Sequence, residues 1–194
     1  SKQELVVRIG TGNLIEIPDN TKYSMPWTAV VTDANGNPVV GASIQASLIG
    51  VRFFKGSYFW NGVACVPRGE NSTLPPFACQ SEDRNENLRL DEGEDLDADG
   101  SLEPANIGAA IINSEGGRTD ATGFANLEVR YAREFANWTE VRLRVTVTTI
   151  AGTEGRSDRT FVLPVLAADV TSETTTPPGA ISPFGRLGDC ARPN

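Results

Sequence analysis

The stretch EVRLRVTVTTI, residues 140–150, decides the fold class. Val141, Leu143, Val145 and Val147 alternate with Arg142, Arg144, Thr146 and Thr148, the period-two pattern of a strand with one buried face. A slip of one residue would bury two arginines, so the inward face is well determined. Residues 124–131 repeat the pattern, with Ala125, Leu127, Val129 and Tyr131 set against Phe124, Asn126, Glu128 and Arg130. In 42–48, Ala42, Ile44, Ala46 and Leu48 oppose Ser43, Gln45 and Ser47. Shorter β-rich runs lie at 4–9, 14–17, 27–32, 51–54 and 158–165, where Pro164 suits a strand end. Turn residues separate them: Gly10-Thr11-Gly12-Asn13, the Asn-Gly turn at Asn35-Gly36, Thr119 to Gly123, and a hairpin turn over 151–155. Helix signals are nearly missing. The pattern predicts an all-β, antiparallel β-sandwich.

Two turn motifs carry a family resemblance. Val31-Thr32-Asp33-Ala34-Asn35-Gly36-Asn37-Pro38-Val39-Val40-Gly41-Ala42 precedes Thr119-Asp120-Ala121-Thr122-Gly123-Phe124-Ala125, and the 141–148 strand follows. Over roughly 1–55 and 107–166 the chain resembles the bacterial Ig-like repeats of invasin- and intimin-type surface proteins. The resemblance implies an Ig-like sandwich that works outside the cell as a spacer or adhesive unit. Residues 1–170 are then the sandwich, and 56–106 are a long, mostly irregular insertion that those repeats lack. A Pro/Thr/Gly-rich tail, 171–194, follows. It can form neither ladder nor helix, and either wanders or is pinned by Phe184 and Cys190.

The chain has 194 residues and a net charge of −8, and that charge is localised. Between Gln80 and Asn106 stand ten acids and two bases, so this segment carries all of it and the remainder is neutral. There is no histidine, which removes a Ser-His-Asp triad, a Cys-His pair and a His-ligated zinc. No nucleophile motif appears either, so the expectation is a protein that is not an enzyme. No basic stripe offers itself to nucleic acid. No apolar run reaches the roughly 20 residues of a membrane helix, so direct membrane insertion is not expected. The chain opens at Ser1 without a leader pattern, as if any targeting segment had been removed.

Within the insertion, oxygen donors recur with the spacing of twelve-residue calcium loops. Asp83, Asn85, Asn87, Asp91 and Glu94 take positions 1, 3, 5, 9 and 12, with the Arg89 carbonyl at position 7. Asp95, Asp97, Asp99, Glu103 and Asn106 repeat the series, with the Ser101 carbonyl at position 7. Leu90 and Leu102 both fall at position 8, as apolar plugs. Position 6 needs a sharp turn, which Gly100 supplies and Leu88 does not, at a cost of about 1–2 kcal/mol for a leucine at positive φ. Glu94 can close its loop with two oxygens, whereas Asn106 offers one weaker oxygen. No flanking helices are evident. The pair resembles thrombospondin type 3 repeats, whose loops run back to back around calcium, and one or two Ca²⁺ are expected. A solvated acidic linker is the competing reading.

Three cysteines without C-x-x-C spacing point to a disulfide in an exported protein rather than to zinc. Cys65–Cys79 and Cys79–Cys190 are equally plausible pairings. Phe53, Phe54, Tyr58, Phe59 and Trp60 form an aromatic cluster that packs the insertion on the sandwich or, alternatively, contacts a carbohydrate or protein. Asn71-Ser72-Thr73 and Asn137-Trp138-Thr139 match glycosylation acceptors, a pattern common by chance. The expected function is a calcium-stabilised structural or adhesive module of a bacterial exported protein. Its place would be the cell surface, the outer membrane or the periplasm. Its partners would be neighbouring domains of the same chain and a surface protein or glycan.

Overall fold

The computed structural model describes residues 4–193, and Ig-type strand order is its organising feature. One sheet runs β1 (Leu5–Gly10), β2 (Lys22–Asp33), β8 (Phe124–Ala132), β7 (Gly108–Ile112). The other runs β10 (Glu154–Val162), β9 (Thr139–Thr148), β3 (Ser43–Lys55), β6 (Phe77–Gln80). With β1, β2, β8 and β7 as A, B, E and D, and β10, β9 and β3 as G, F and C, this is the constant-type immunoglobulin order. β6 adds an edge strand beside β3, and a separate hairpin joins β4 (Ser57–Trp60) to β5 (Cys65–Arg68). The fold is an antiparallel β-sandwich.

The chain forms two compact units, and β3, β8, β9 and β10 contribute residues to both. In the first unit (1–49, 108–131 and 142–160), alternation becomes burial as the sequence demands. Leu143, Val145 and Val147 are buried, as are Ala125, Leu127, Val129 and Tyr131, against Tyr23, Met25, Trp27, Ala29 and Val31 of β2. Tyr23 meets Tyr131 edge-on at 5.8 Å. The two turn motifs use one device. Asp33 Oδ1 accepts from the Asn35 and Asn37 amides, and Asp120 Oδ1 from those of Thr122 and Phe124. Gly123, at φ 78°, lets Val31 N–H reach its carbonyl at 2.9 Å; a Cβ there would stand 2.6 Å from the Val31 oxygen.

Several boundaries differ from the pattern-based expectation. The 14–17 run supplies only an isolated bridge, Glu16 to Ser24, because Glu16 alone exchanges amide bonds with β2. Runs 42–48 and 51–54 are one continuous strand, β3, since Gly50 stays extended. β10 begins at Glu154 rather than 158 and ends before Pro164, and its turn is held by Thr149 N–H to Thr153 O and Gly152 N–H to Thr149 O. β7 had no alternation to reveal it; GAAII shows only a short apolar run.

In the second unit (50–107, 132–141 and 161–194), the tail is pinned by both residues expected to do so. Cys79 bonds Cys190, and Cys65 is free. Phe184 packs with Phe53, Cys79 and Trp138, flanked by Phe54, Tyr58 and Phe135. Trp138 Nε1 donates to Gly179 O at 2.8 Å, Tyr58 N–H to Ala180 O at 2.9 Å, and Ser182 N–H to Gly56 O at 3.0 Å. Buried Lys55 gives its ammonium to the carbonyls of Asp189 and Arg192. Much of the aromatic cluster is therefore core, although Phe59 remains exposed.

Candidate metal centre

β6 delivers the chain to the acidic segment. Phe53 faces Cys79 and Arg52 faces Gln80 across the β3–β6 ladder, and Ser81 N–H then bonds Val51 O at 2.9 Å. One residue later Glu82 N–H donates to Glu103 O at 2.8 Å, tying the two ends of the acidic segment together. The returning chain passes so close that a Cβ on Gly50 would lie 2.5 Å from the Pro104 ring.

Between these ends the backbone repeats with a period of twelve. Asp83, at position 1, accepts from the Asn87 and Leu88 amides at 3.0 and 2.9 Å. Its counterpart Asp95 accepts from those of Asp99 and Gly100 at 3.1 and 3.0 Å. At position 3, Asn85 and Asp97 each accept from the amide two residues on, at 3.0 and 3.2 Å. At position 5, Asn87 and Asp99 do the same, both at 2.7 Å. Positive φ falls at positions 4 and 6 of both loops: Glu86 and Leu88 at 59° and 61°, Ala98 and Gly100 at 61° and 80°. Leu88 thus adopts the left-handed turn that its side chain disfavours, with 71 % of its surface exposed.

The loops close through two glutamates. Glu94 receives the amides of positions 2 and 9 of the first loop, Arg84 at 3.0 Å and Asp91 at 3.1 Å. In the second loop the equivalent amides, Leu96 at 2.9 Å and Glu103 at 3.0 Å, go to Glu82. Asn106, the residue at position 12 by counting, does not take this place. Sequence reasoning missed Glu82 because it precedes the first loop, yet it stands one period before Glu94, and that interval was the available signal.

The buried groups are acidic. Glu82 is 1 % exposed, Glu94 5 %, Asp97 6 % and Asp83 9 %. One carboxylate oxygen from each of Glu82, Asp97 and Glu103 lies within 4.8 Å of the others, as does one from each of Asp95, Asp97 and Asp99. Among the described residues, no lysine or arginine forms an ion pair with Glu82, Asp97 or Glu103. Burial and then the charges of Asp97, Asp99 and Glu82 push the Glu103 carboxyl up to about 7; burial raises Glu82 as well. A hard cation taking 6–8 oxygens suits such a donor set, which offers no nitrogen or sulfur. The first loop is less charged. Asn85 and Asn87 amides donate to Asp91 Oδ2 at 2.8 and 2.7 Å and hold that exposed carboxyl below its usual range. Arg89 and Ser101, at position 7, give their backbone amides to the position-5 side chains Asn87 and Asp99. The leucines expected as plugs differ, Leu102 being half-buried and Leu90 exposed at 40 % of its surface.

No protein-family model matches the chain, and no curated protein matches its sequence.

Proposed function

We propose that this chain is a non-enzymatic, calcium-stabilised Ig-like module of an exported bacterial surface protein, with a structural or adhesive role. One observation carries the reading: Glu82 and Glu94 close two loops in the same way, twelve residues apart. A solvated acidic linker gives no reason for a repeated backbone, nor for four buried acids. Asp83, Asn85, Asn87, Asp91 and Glu94, with the Arg89 carbonyl, would hold one ion. Asp95, Asp97, Asp99, Glu103 and Glu82, with the Ser101 carbonyl, would hold another.

Electrostatics supplies the mechanism. Uncompensated carboxylates repel one another across the loop pair, and burial adds a desolvation cost. Two divalent charges would offset both terms and leave the loops stiff. If free calcium is about ten times Kd, each site adds roughly RT ln 11, ~1.4 kcal/mol, to the folded state. The Cys79–Cys190 disulfide supports an oxidising location. No helix among the described residues is long and apolar enough to cross a membrane. The resemblance to invasin- and intimin-type repeats supports a place in a surface chain with neighbouring domains. Thermal melting with calcium and with chelator, on wild type, Asp95→Ala and Asp97→Ala, tests the reading. An unchanged wild-type melting temperature, with no calorimetric binding heat, rejects it.

A further inference from the structure

A second feature of the same unit lies outside the acidic loops. Residues 69–72 of one turn and the tail residues Arg186 and Leu187 line an open cleft of about 420 Å³, within the size range of small-molecule sites. Gly56 and Gly69 line it, and neither accepts a side chain: a Cβ would stand 2.0 Å from Arg68 O and 2.4 Å from Pro75 O respectively. The tail wall is held by Gly56 N–H to Gly185 O and by the Cys79–Cys190 bond. The opposite wall is strained. Asn71 and Ser72 are consecutive left-handed residues, at φ 64° and 61°. Asparagine usually takes that conformation with a local side-chain bond, and none is formed here among the described residues.

The lining is polar and faces solvent. Among the described residues, the side chains of Glu70, Asn71, Ser72 and Arg186 have no hydrogen-bond or ion-pair partner in the protein. Glu70 and Arg186 line one cleft with opposite charges and do not pair with each other. A strained turn facing exposed polar side chains that the protein itself does not pair leaves those groups available to a ligand. We propose that this cleft binds a neutral saccharide. Donors of Arg186, acceptors of Glu70, and the amide and hydroxyls of Asn71, Ser72 and Ser57 match vicinal hydroxyl groups, which both donate and accept. An anionic ligand would meet Glu70, and a cationic one Arg186. Leu187 supplies an apolar contact for a ring face, and Phe77, beside Gly188 with Glu70, a second nearby.

The test is calorimetry and ligand-observed NMR of the calcium-loaded chain with cellobiose, maltose, chitobiose, mannobiose and galactobiose, and with glycine and glutamate as zwitterionic controls. At least one disaccharide should bind, in the range of about 0.1–1 mM. Glu70→Gln and Arg186→Gln should each weaken it by about tenfold or more, as expected for a lost charge-assisted bond. Asn71→Gly separates site from scaffold. It relieves the left-handed strain, so melting temperature should hold or rise while binding falls. The proposal is overturned if no disaccharide binds, if only the amino acids bind, or if the three variants bind like wild type. Repeating the titration in chelator keeps this outcome distinct from that of the calcium reading, since none of the cleft residues named is a proposed calcium ligand.

Discussion

Glu82 and Glu94, one loop length apart, occupy the same place in two successive loops. Each carboxylate binds the amides of positions 2 and 9, but Glu94 does so within its own loop and Glu82 reaches forward into the next. The chain therefore sets the closing carboxylate of its second loop before the first loop starts. Glu82 N–H to Glu103 O makes that arrangement possible by joining the two ends.

Glu82→Gln should remove one calcium from the binding stoichiometry. It should reduce the calcium-induced rise in stability by about 1.4 kcal/mol, one site's share. Asn106→Ala should leave both unchanged. Calorimetric titration of the two variants decides between the spacing-based and the structure-based ligand.

Acid should stabilise the metal-free protein before it destabilises it. Glu103 titrates near 7 in the fold, above its unfolded value, so its ionisation opposes folding. In chelator, stability should rise as pH falls from about 8 toward 5, the opposite of the usual carboxylate effect. Asp33, Asp120 and Asp158 have lowered values, so their contribution is present above the ordinary aspartate range and lost below it. Saturating calcium should flatten the upper limb. Melting curves across pH, with and without calcium, read both limbs.

Leu88→Gly should stabilise the calcium-loaded chain by about 1 kcal/mol. The leucine sits at φ 61° with its side chain in solvent, so little packing is lost when the left-handed cost is removed. Ala98→Gly, at the same φ but at position 4, should behave alike. Denaturant unfolding in calcium measures both.

Cys190→Ser should cost about 3–5 kcal/mol, since the bond closes a sequence separation of 111 residues. It should also expose Phe53 and Trp138 by loosening the tail, which a tryptophan emission shift would report. Cys65→Ser should be silent, because that thiol is free. Urea unfolding of the two variants makes the comparison.

The amino-acid sequence determined the sheets where alternation is strong. In β8 and β9, polar and apolar residues trade places at every step, and only one face can enter a core without burying arginine. It also determined the turns at Asp33 and Asp120, whose carboxylates bond their own neighbours, and the twelve-residue period of the donors. These are local properties, carried by residues within a few positions of one another. Tertiary structure alone decided the rest. β7 has no alternation, and its place depends on pairing with β8. Cys79 had two partners at comparable plausibility, and the choice of Cys190 follows from a tail docked through Phe184 and Lys55. Glu82 replaced Asn106 for the same reason. Closing a loop needs an oxygen near two amides in space, and chain reversal brought a distant carboxylate closer to them than the residue next in line.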